Sequence, residues 1–297
     1  MPVGELFRGG YLSLVVGLQL EDGREVVVEL RPPAPRLAGC FEVHRRLYEA
    51  GFPCPQPLAG PVALAGFIAT VESYIPGGDR FPPSGRTAEP FASALAALVA
   101  AAPAVSDVPS LAPNPPWTAW NHAEGGLWPW PDDRDIDLNS VRGPDWVDLA
   151  GRAARSRLER ARPQPVVVGH GDWYTNNIRW AGHELHAVHD WDSLIAESEP
   201  VVAGLAAAVY PAVQAGSEAT VEETAAFLDA YAHARGRNFS AAELEECWAA
   251  SLWVRSFDAK KQFATEGHIR SLTPAEAHER AHRADAGNQA ETLDPRP

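Results

Sequence analysis

The sequence predicts an α+β fold in two lobes, a small β-rich N-lobe followed by a larger α-helical C-lobe. Three observations carry this expectation. Strand-type runs fill residues 11–31 and 62–75. A Pro76-Gly77-Gly78 break follows the second run. Beyond that break the long apolar patterns are helical, apart from two short β runs. At about 150 residues per domain, a chain of 297 residues makes one large domain or two lobes. A composition of 45% hydrophobic and 22% charged residues supports a proper core. The lobe boundary is placed at the break, giving 1–76 and 77–297.

Taken in order, YLSLVVGLQL and REVVVELR flank Glu21-Asp22-Gly23, and an Asp-Gly pair between β-rich runs signals a hairpin. Few residues precede this hairpin, which predicts an abbreviated first strand. Residues 38–50 carry helical spacing in Phe41, Leu47 and Tyr48, with Gly51 as the stop. FPCPQPL reads as an extended linker, and 62–75 as two further strands. FASALAALVAAA is a buried-type helix, too short to span a bilayer. Residues 103–145 are irregular and rich in Pro and Trp. WVDLAGRAARSRLERAR is an amphipathic helix that Pro163 ends. QPVVVGHGD and HELHAVHDWD are short β runs. Helices follow at about 201–215, 221–235, 241–266 and 274–285, and the final ADAGNQAETLDPRP is expected to fray.

Charge narrows the partners. There are 39 acids against 25 bases, a net charge of −14. Such a field repels phosphate backbones, so nucleic acid is excluded as a partner, and a cationic small molecule is favoured. No apolar run predicts membrane insertion. Cys40, Cys54 and Cys247 are far apart and form no CxxC pair. With no signal-peptide pattern at the N-terminus, the expected compartment is the reducing cytoplasm.

The chemistry concentrates in VVVGHGDWYTNNIRWAGHELHAVHDWD, residues 166–192. One β run delivers His170-Gly171-Asp172, Asn177 follows, and a second run ends in Asp190-Trp191-Asp192. Two strand-borne acids with an intervening Asn suit Mg-dependent phosphoryl transfer. One carboxylate orients the attacking hydroxyl, while an Asn oxygen and a second carboxylate hold the hard cation. The two β runs, joined through Trp180-Ala181-Gly182, are expected to form a hairpin-like unit with Asp172, Asn177 and Asp190 at one end.

HGDxxxxN followed by a strand ending in DWD resembles the aminoglycoside phosphotransferase family, whose fold is protein-kinase-like. The likeness runs over about residues 7–265. FRGGYLSLV resembles the family's Gly-containing nucleotide loop, with Gly9, Gly10 and Ser13 at the nucleotide. Glu42 resembles the glutamate that pairs with the phosphate-binding base. GFPCPQPL resembles the stretch after that helix. VESYIPGG resembles the hinge, where the backbone of Glu72, Ser73 and Tyr74 would meet the adenine. The resemblance implies Asp172 as catalytic base, His170 as the group orienting its loop, and Asn177 and Asp190 as Mg2+ ligands with Asp192 in support. It also implies ATP or GTP as co-substrate and a small-molecule hydroxyl as acceptor. The family's strand lysine has no counterpart, because no lysine precedes Lys260. Arg31 is the candidate replacement, sharing a strand face with Glu29. An acidic residue there opposes phosphate binding. The implied activity is phosphorylation of an aminoglycoside-like antibiotic, conferring antibiotic resistance. The alternatives are a sugar, amino-alcohol or homoserine-like metabolite kinase, or a catalytically dead kinase-like binding protein.

Other patterns have competing readings. His278-Glu279-Arg280-Ala281-His282 matches the HExxH of zinc hydrolases, but Asp285 and Asn288 stand where the extended motif needs Gly and His. His183, His186 and His189 recur every third residue, so on a strand they alternate faces. Trp117, Trp120, Trp128 and Trp130 pin a loop by burial or wall an acceptor pocket. Asp132, Asp133, Asp135 and Asp137, with Asp258 on the last long helix, are solvated acids or attract a cationic acceptor.

Overall fold

The computed structural model describes residues 1–284, so the segment expected to fray lies, from residue 285 on, outside the described residues. The N-terminal part is one sheet of β1 (Pro2–Gly9), β2 (Leu14–Leu20), β3 (Glu25–Arg31), β4 (Pro57–Leu64) and β5 (Phe67–Ser73), in the order β1-β2-β3-β5-β4. Neighbours are antiparallel throughout. The helix α1 (Leu37–Glu49) lies against β4 and the Trp191–Ser193 turn; its Cys40, Val43 and Leu47 join the hydrophobic core that continues into the helical part, and His44 stacks on Trp191 at 4.7 Å.

Two expectations are corrected here. The first strand is not abbreviated: β1 has eight residues, held to β2 across two register shifts that its short sequence pattern does not reveal. The stretch read as a linker gives its end to β4, where Pro57 is tolerated because β4 is an edge strand.

Register sets up the site. Val27 stands opposite Glu72, Glu29 opposite Thr70, and Arg31 opposite Ile68. Alternate residues share a face. Val27, Glu29, Arg31, Thr70 and Glu72 therefore all look toward α1 and the C-lobe.

The C-lobe comprises α2 (Ala88–Ala101), α3 (Asp145–Glu159), β6 (Val166–His170), β7 (Ile178–Ala181), β8 (Glu184–Val188), β9 (Leu194–Ser198), α4 (Glu199–Val209), α5 (Val221–Ala234), α6 (Ala241–Glu266) and α7 (Pro274–Arg283). The expected hairpin of the two β runs does not form. Instead β6 pairs with β9 and β7 with β8, both antiparallel. β7 and β9, of four and five residues, lie outside the two β runs that the sequence marks. Capping boxes at Thr220/Glu223, Ser240/Glu243 and Thr273/Glu276 start α5, α6 and α7, and Gly267 in the left-handed region ends α6. The helix α4 is buried on every side from Glu199 to Ala208, and α6 lies along it. Trp128 is buried against Trp253 and Phe257, so this part of the Trp cluster is core. No helix is long and apolar enough to cross a membrane among the described residues.

One buried acid gives a pH signature. Burial pushes the Glu197 carboxyl on β9 up to about 7, outweighing its bonds from Asn114 (3.0 Å) and Asn121 (3.4 Å). A raised acid holds its proton longer folded than unfolded, so its contribution to stability falls as pH rises from 4.5 through about 7. Glu197→Gln is therefore expected to gain stability over the parent across that window, by about 3 kcal/mol at most. Paired urea melts at pH 4.5 and pH 7.5 check this; a constant difference contradicts it.

Candidate active site

The segment after β6 is fixed before any ligand arrives. Gly171 turns the chain where a Cβ would meet Ile195 Cγ2 at 2.9 Å and Thr118 Cγ2 at 3.0 Å. The Gly171 amide donates to Ser193 O at 2.7 Å, and Trp117 Nε1 donates to Gly171 O at 2.8 Å. The Asp172 amide donates to His170 Nδ1 at 3.2 Å, so the proton on this fully buried ring sits on Nε2 and is donated to His189 O at 3.0 Å. His170 thus ties Asp172 to the segment leading into Asp190. Asn177 Nδ2 donates to both the main-chain oxygen and Oδ2 of Asp172, each at 2.9 Å. No hydrogen bond occupies its carbonyl oxygen among the described residues.

Asp190 sits in the left-handed region at φ 65°, one of two non-glycine residues there among those described. Aspartate tolerates this conformation better than most residues, and an enforced one is common at functional sites. Its Oδ2 accepts from Ser193 Oγ at 2.6 Å, and its Oδ1 from Arg31 Nη2 at 3.2 Å. Arg31 also ion-pairs with Asp192 and donates Nε to Glu29 Oε1 at 2.9 Å. One oxygen each from Glu29, Asp190 and Asp192 lies within 4.8 Å of the others, the only such group of metal-capable side chains among the described residues. Burial opposes ionisation of Asp190, but Asp192, Arg31 and Ser193 hold it below the usual carboxylate range. Burial and the Asp190 charge push Asp172 up to about 8 and Asp192 well upward.

Two cavities take in these residues. A cleft cavity of about 270 Å³ is lined by Val15, Val27, Glu29, Arg31, Glu72, Ser73, Tyr74, Asp190 and Asp192. A second, of about 510 Å³, has Asp172 in its wall with Tyr11, Trp117, Asp133, Tyr174, Glu218, Asp258 and Lys261. Of the sequence candidates, Arg31, Glu72, Ser73, Tyr74, Asp190 and Asp192 therefore gather at the cleft, and Asp172 at the second cavity, with Asn177 bonded to it.

Other candidates stand elsewhere. Gly9, Gly10 and Ser13 are outside the cleft wall. Gly10 takes φ 104° to make the turn between β1 and β2, while Tyr11 and Leu12 at the tip line the second cavity. Glu42 does not pair with Arg31. Its carboxylate takes Arg45 Nε at 2.9 Å and Arg46 Nε at 2.7 Å, one helical turn on, because α1 turns Cys40 and His44 inward instead. The amides of Ser73 and Tyr74 are spent on Gln56 O (2.9 Å) and Glu25 O (3.0 Å), which removes them from the main-chain contact expected of the hinge. His278 and His282 lie exposed on α7, Glu279 ion-pairs with Arg283, and no third ligand joins them among the described residues. His186 bonds Pro76 O at 3.1 Å, His183 is exposed and His189 half-buried, and the three make no metal-capable group among the described residues.

Sequence reasoning missed Tyr11, Leu12 and the 212–218 segment of the second cavity. Only tertiary packing brings them there. The Arg134 guanidinium lies 5.1 Å over the Tyr11 ring, joining the β1–β2 loop to the irregular 103–145 segment.

The architecture, a β-sheet with one helix followed by a helical C-terminal part, is protein-kinase-like. The sequence matches the phosphotransferase enzyme family (APH) over residues 3–247, and the chain belongs to that family. No curated protein matches it. The structure is similar to that of the amicoumacin kinase hAmiN, solved with AMP-PNP, Ca2+ and Ami, at TM-score 0.65 and 15% identity, covering 100% of this chain and 91% of the other. It is also similar to a choline/ethanolamine kinase family protein from Mesorhizobium loti (TM-score 0.54, 17% identity, 99% and 90% covered). A thermostable mutant of aminoglycoside phosphotransferase APH(4)-Ia with ADP and hygromycin B gives TM-score 0.58 at 13% identity, with 99% and 94% covered. At these identities the likeness establishes the fold.

Proposed function

We propose that the chain transfers the terminal phosphate of ATP or GTP to a hydroxyl of an amine-bearing small molecule. The observation that carries this is the placement of Asp172 on one cavity and Asp190 and Asp192 on the other, with Arg31 at the second pair. The division into 1–76 and 77–297 is part of the reading, the nucleotide lying between the two lobes.

The donor set fits a hard divalent cation. Asn177, Asp190 and Asp192 offer oxygens alone, and the Asn177 carbonyl is uncommitted. Mg2+ held there would neutralise charge on the nucleotide phosphates. Arg31 has planar donors that can leave the carboxylates for a phosphate. Asp172 Oδ1 would accept the acceptor's hydroxyl proton, while Asn177 holds Oδ2 and fixes the carboxylate. The acceptor oxygen forms a bond to the terminal phosphorus, the bond to the bridging oxygen breaks, and the nucleoside diphosphate leaves. Positioning supplies most of the rate, since the loose transition state asks for little covalent help.

The acceptor reading rests on charge and shape. Asp258 is half-buried in the second cavity without a hydrogen bond among the described residues, and burial pushes it up to about 6. Asp133 has Lys261 at 3.2 Å. A bound ammonium would satisfy Asp258, with Trp117, Tyr11 and Tyr174 as ring walls. Among the similar structures, choline and ethanolamine are themselves cationic amino alcohols. The test is nucleoside diphosphate release with an aminoglycoside, an amino alcohol and a neutral sugar. An amine-bearing acceptor is expected to exceed the neutral one at least about tenfold in kcat/KM; preference for the neutral sugar contradicts the reading. A second reading, a binding protein without turnover, is favoured by the engagement of Arg31 with three carboxylates and gives no release with any acceptor.

A further inference from the structure

We propose that the Glu72 side chain, not the main chain beside it, recognises the hydrogen-bonding edge of the purine base. The inference rests on the nucleotide reading of the cleft. Glu72 lies on the cleft face of β5 opposite Val27, four residues along β3 from Arg31. At 3.3 Å per residue, that is about 13 Å. On the cleft face Glu72 therefore stands at the level of Val27, two side-chain positions from Arg31 with Glu29 between them. Near Glu72 the wall is apolar and aromatic: Val27, and Phe7 with its ring centroid 5.6 Å from that of Tyr74. Such walls suit a flat heterocycle.

The usual polar partners beside Glu72 are already engaged. Ser73 and Tyr74 give their amides to Gln56 O and Glu25 O, and Ser73 Oγ accepts from the Gln56 amide at 2.8 Å. Glu72 is left with no hydrogen bond among the described residues, though its side chain is only 26% exposed. The nearest basic group, His44 Nδ1, is 4.0 Å from Oε2. That ring is pinned elsewhere, stacked on Trp191 at 4.7 Å with Nε2 bonded to Pro55 O at 2.8 Å. A mostly buried, unpaired carboxyl is costly unless a ligand completes it.

The electrostatics are compatible with this role. Burial first, then the charges of Glu29 and Asp190, push Glu72 up to about 8. A protonated carboxyl presents one donor and one acceptor side by side. That pattern pairs with N1 and the six-amino group of adenine, and equally with O6 and N1–H of guanine.

The experiment measures affinity of the intact chain for Mg·ATP and for base-free Mg·tripolyphosphate, by calorimetric titration, in the parent, Glu72→Ala and Glu72→Gln. Glu72→Ala is expected to weaken ATP about tenfold while leaving tripolyphosphate within about twofold. Glu72→Gln keeps a donor and an acceptor and is expected to stay within about threefold of the parent for ATP. Equal change in both ligands, unchanged ATP affinity in Glu72→Ala, or a Gln variant as weak as Ala overturns the inference. If the parent binds tripolyphosphate but not ATP, the base-reading role fails alone. Binding of neither removes the nucleotide reading as well.

Discussion

Asp172→Ala is expected to lower turnover by a factor on the order of 10³, the range in which removal of a positioned general base falls, with Mg·ATP affinity nearly unchanged. The two effects separate because Asp172 belongs to the wall of the second cavity, whereas Arg31, Glu72, Asp190 and Asp192 line the cleft. Its partner bonds say the same. Asp172 is held by Asn177 Nδ2 and, through its own amide, by the His170 ring, and it makes no bond to Arg31 among the described residues. Nucleoside diphosphate release and a nucleotide titration on the same preparation check both halves. Turnover within tenfold of the parent would remove Asp172 from the chemistry; a parallel loss of nucleotide affinity would place it at the phosphates instead.

Arg31→Ala is expected to destabilise the metal-free protein by about 3 kcal/mol, and Mg2+ alone is expected to restore much of that. Arg31 is the counter-charge for Glu29, Asp190 and Asp192, all with side chains no more than 25% exposed. Truncating one partner of a largely buried ion pair leaves the others uncompensated and typically costs 3–5 kcal/mol. The lower end applies because the cleft is partly solvated. A divalent cation among the same oxygens would replace the lost charge, so the variant should gain more from Mg2+ than the parent does. Thermal unfolding with and without Mg2+ reads this directly. A variant as stable as the parent without metal, or one indifferent to Mg2+, contradicts the arrangement.

The order of chemical groups along the chain was legible because the motif is linear. His170, Asp172, Asn177 and Asp190 lie within 21 residues, and their identities speak for themselves. Strand pairing around them was not legible. The partners of β6 and β8 are β9 and β7, and a strand's own residues do not say which strand it will pair with. The place of Glu42 is written in the sequence. With Arg45 and Arg46 three and four positions on, a helix satisfies that carboxylate locally and leaves none for β3. The tertiary arrivals had no sequence signal. Tyr11 reaches the second cavity only because the Gly10 turn carries it across to Arg134. Glu72 marked the hinge in sequence; the inward aim of its side chain follows from the β3–β5 register.

Nucleotide binding at the cleft is the central claim, and thermal unfolding of the parent chain with Mg2+, ATP, and both together tests it most directly. A ligand that binds only the folded state raises its apparent stability. The expected result is an upward shift with Mg2+ and ATP together that exceeds the sum of the two alone and disappears in Asp190→Asn. No shift at saturating Mg·ATP, or an equal shift in Asp190→Asn, would contradict the account.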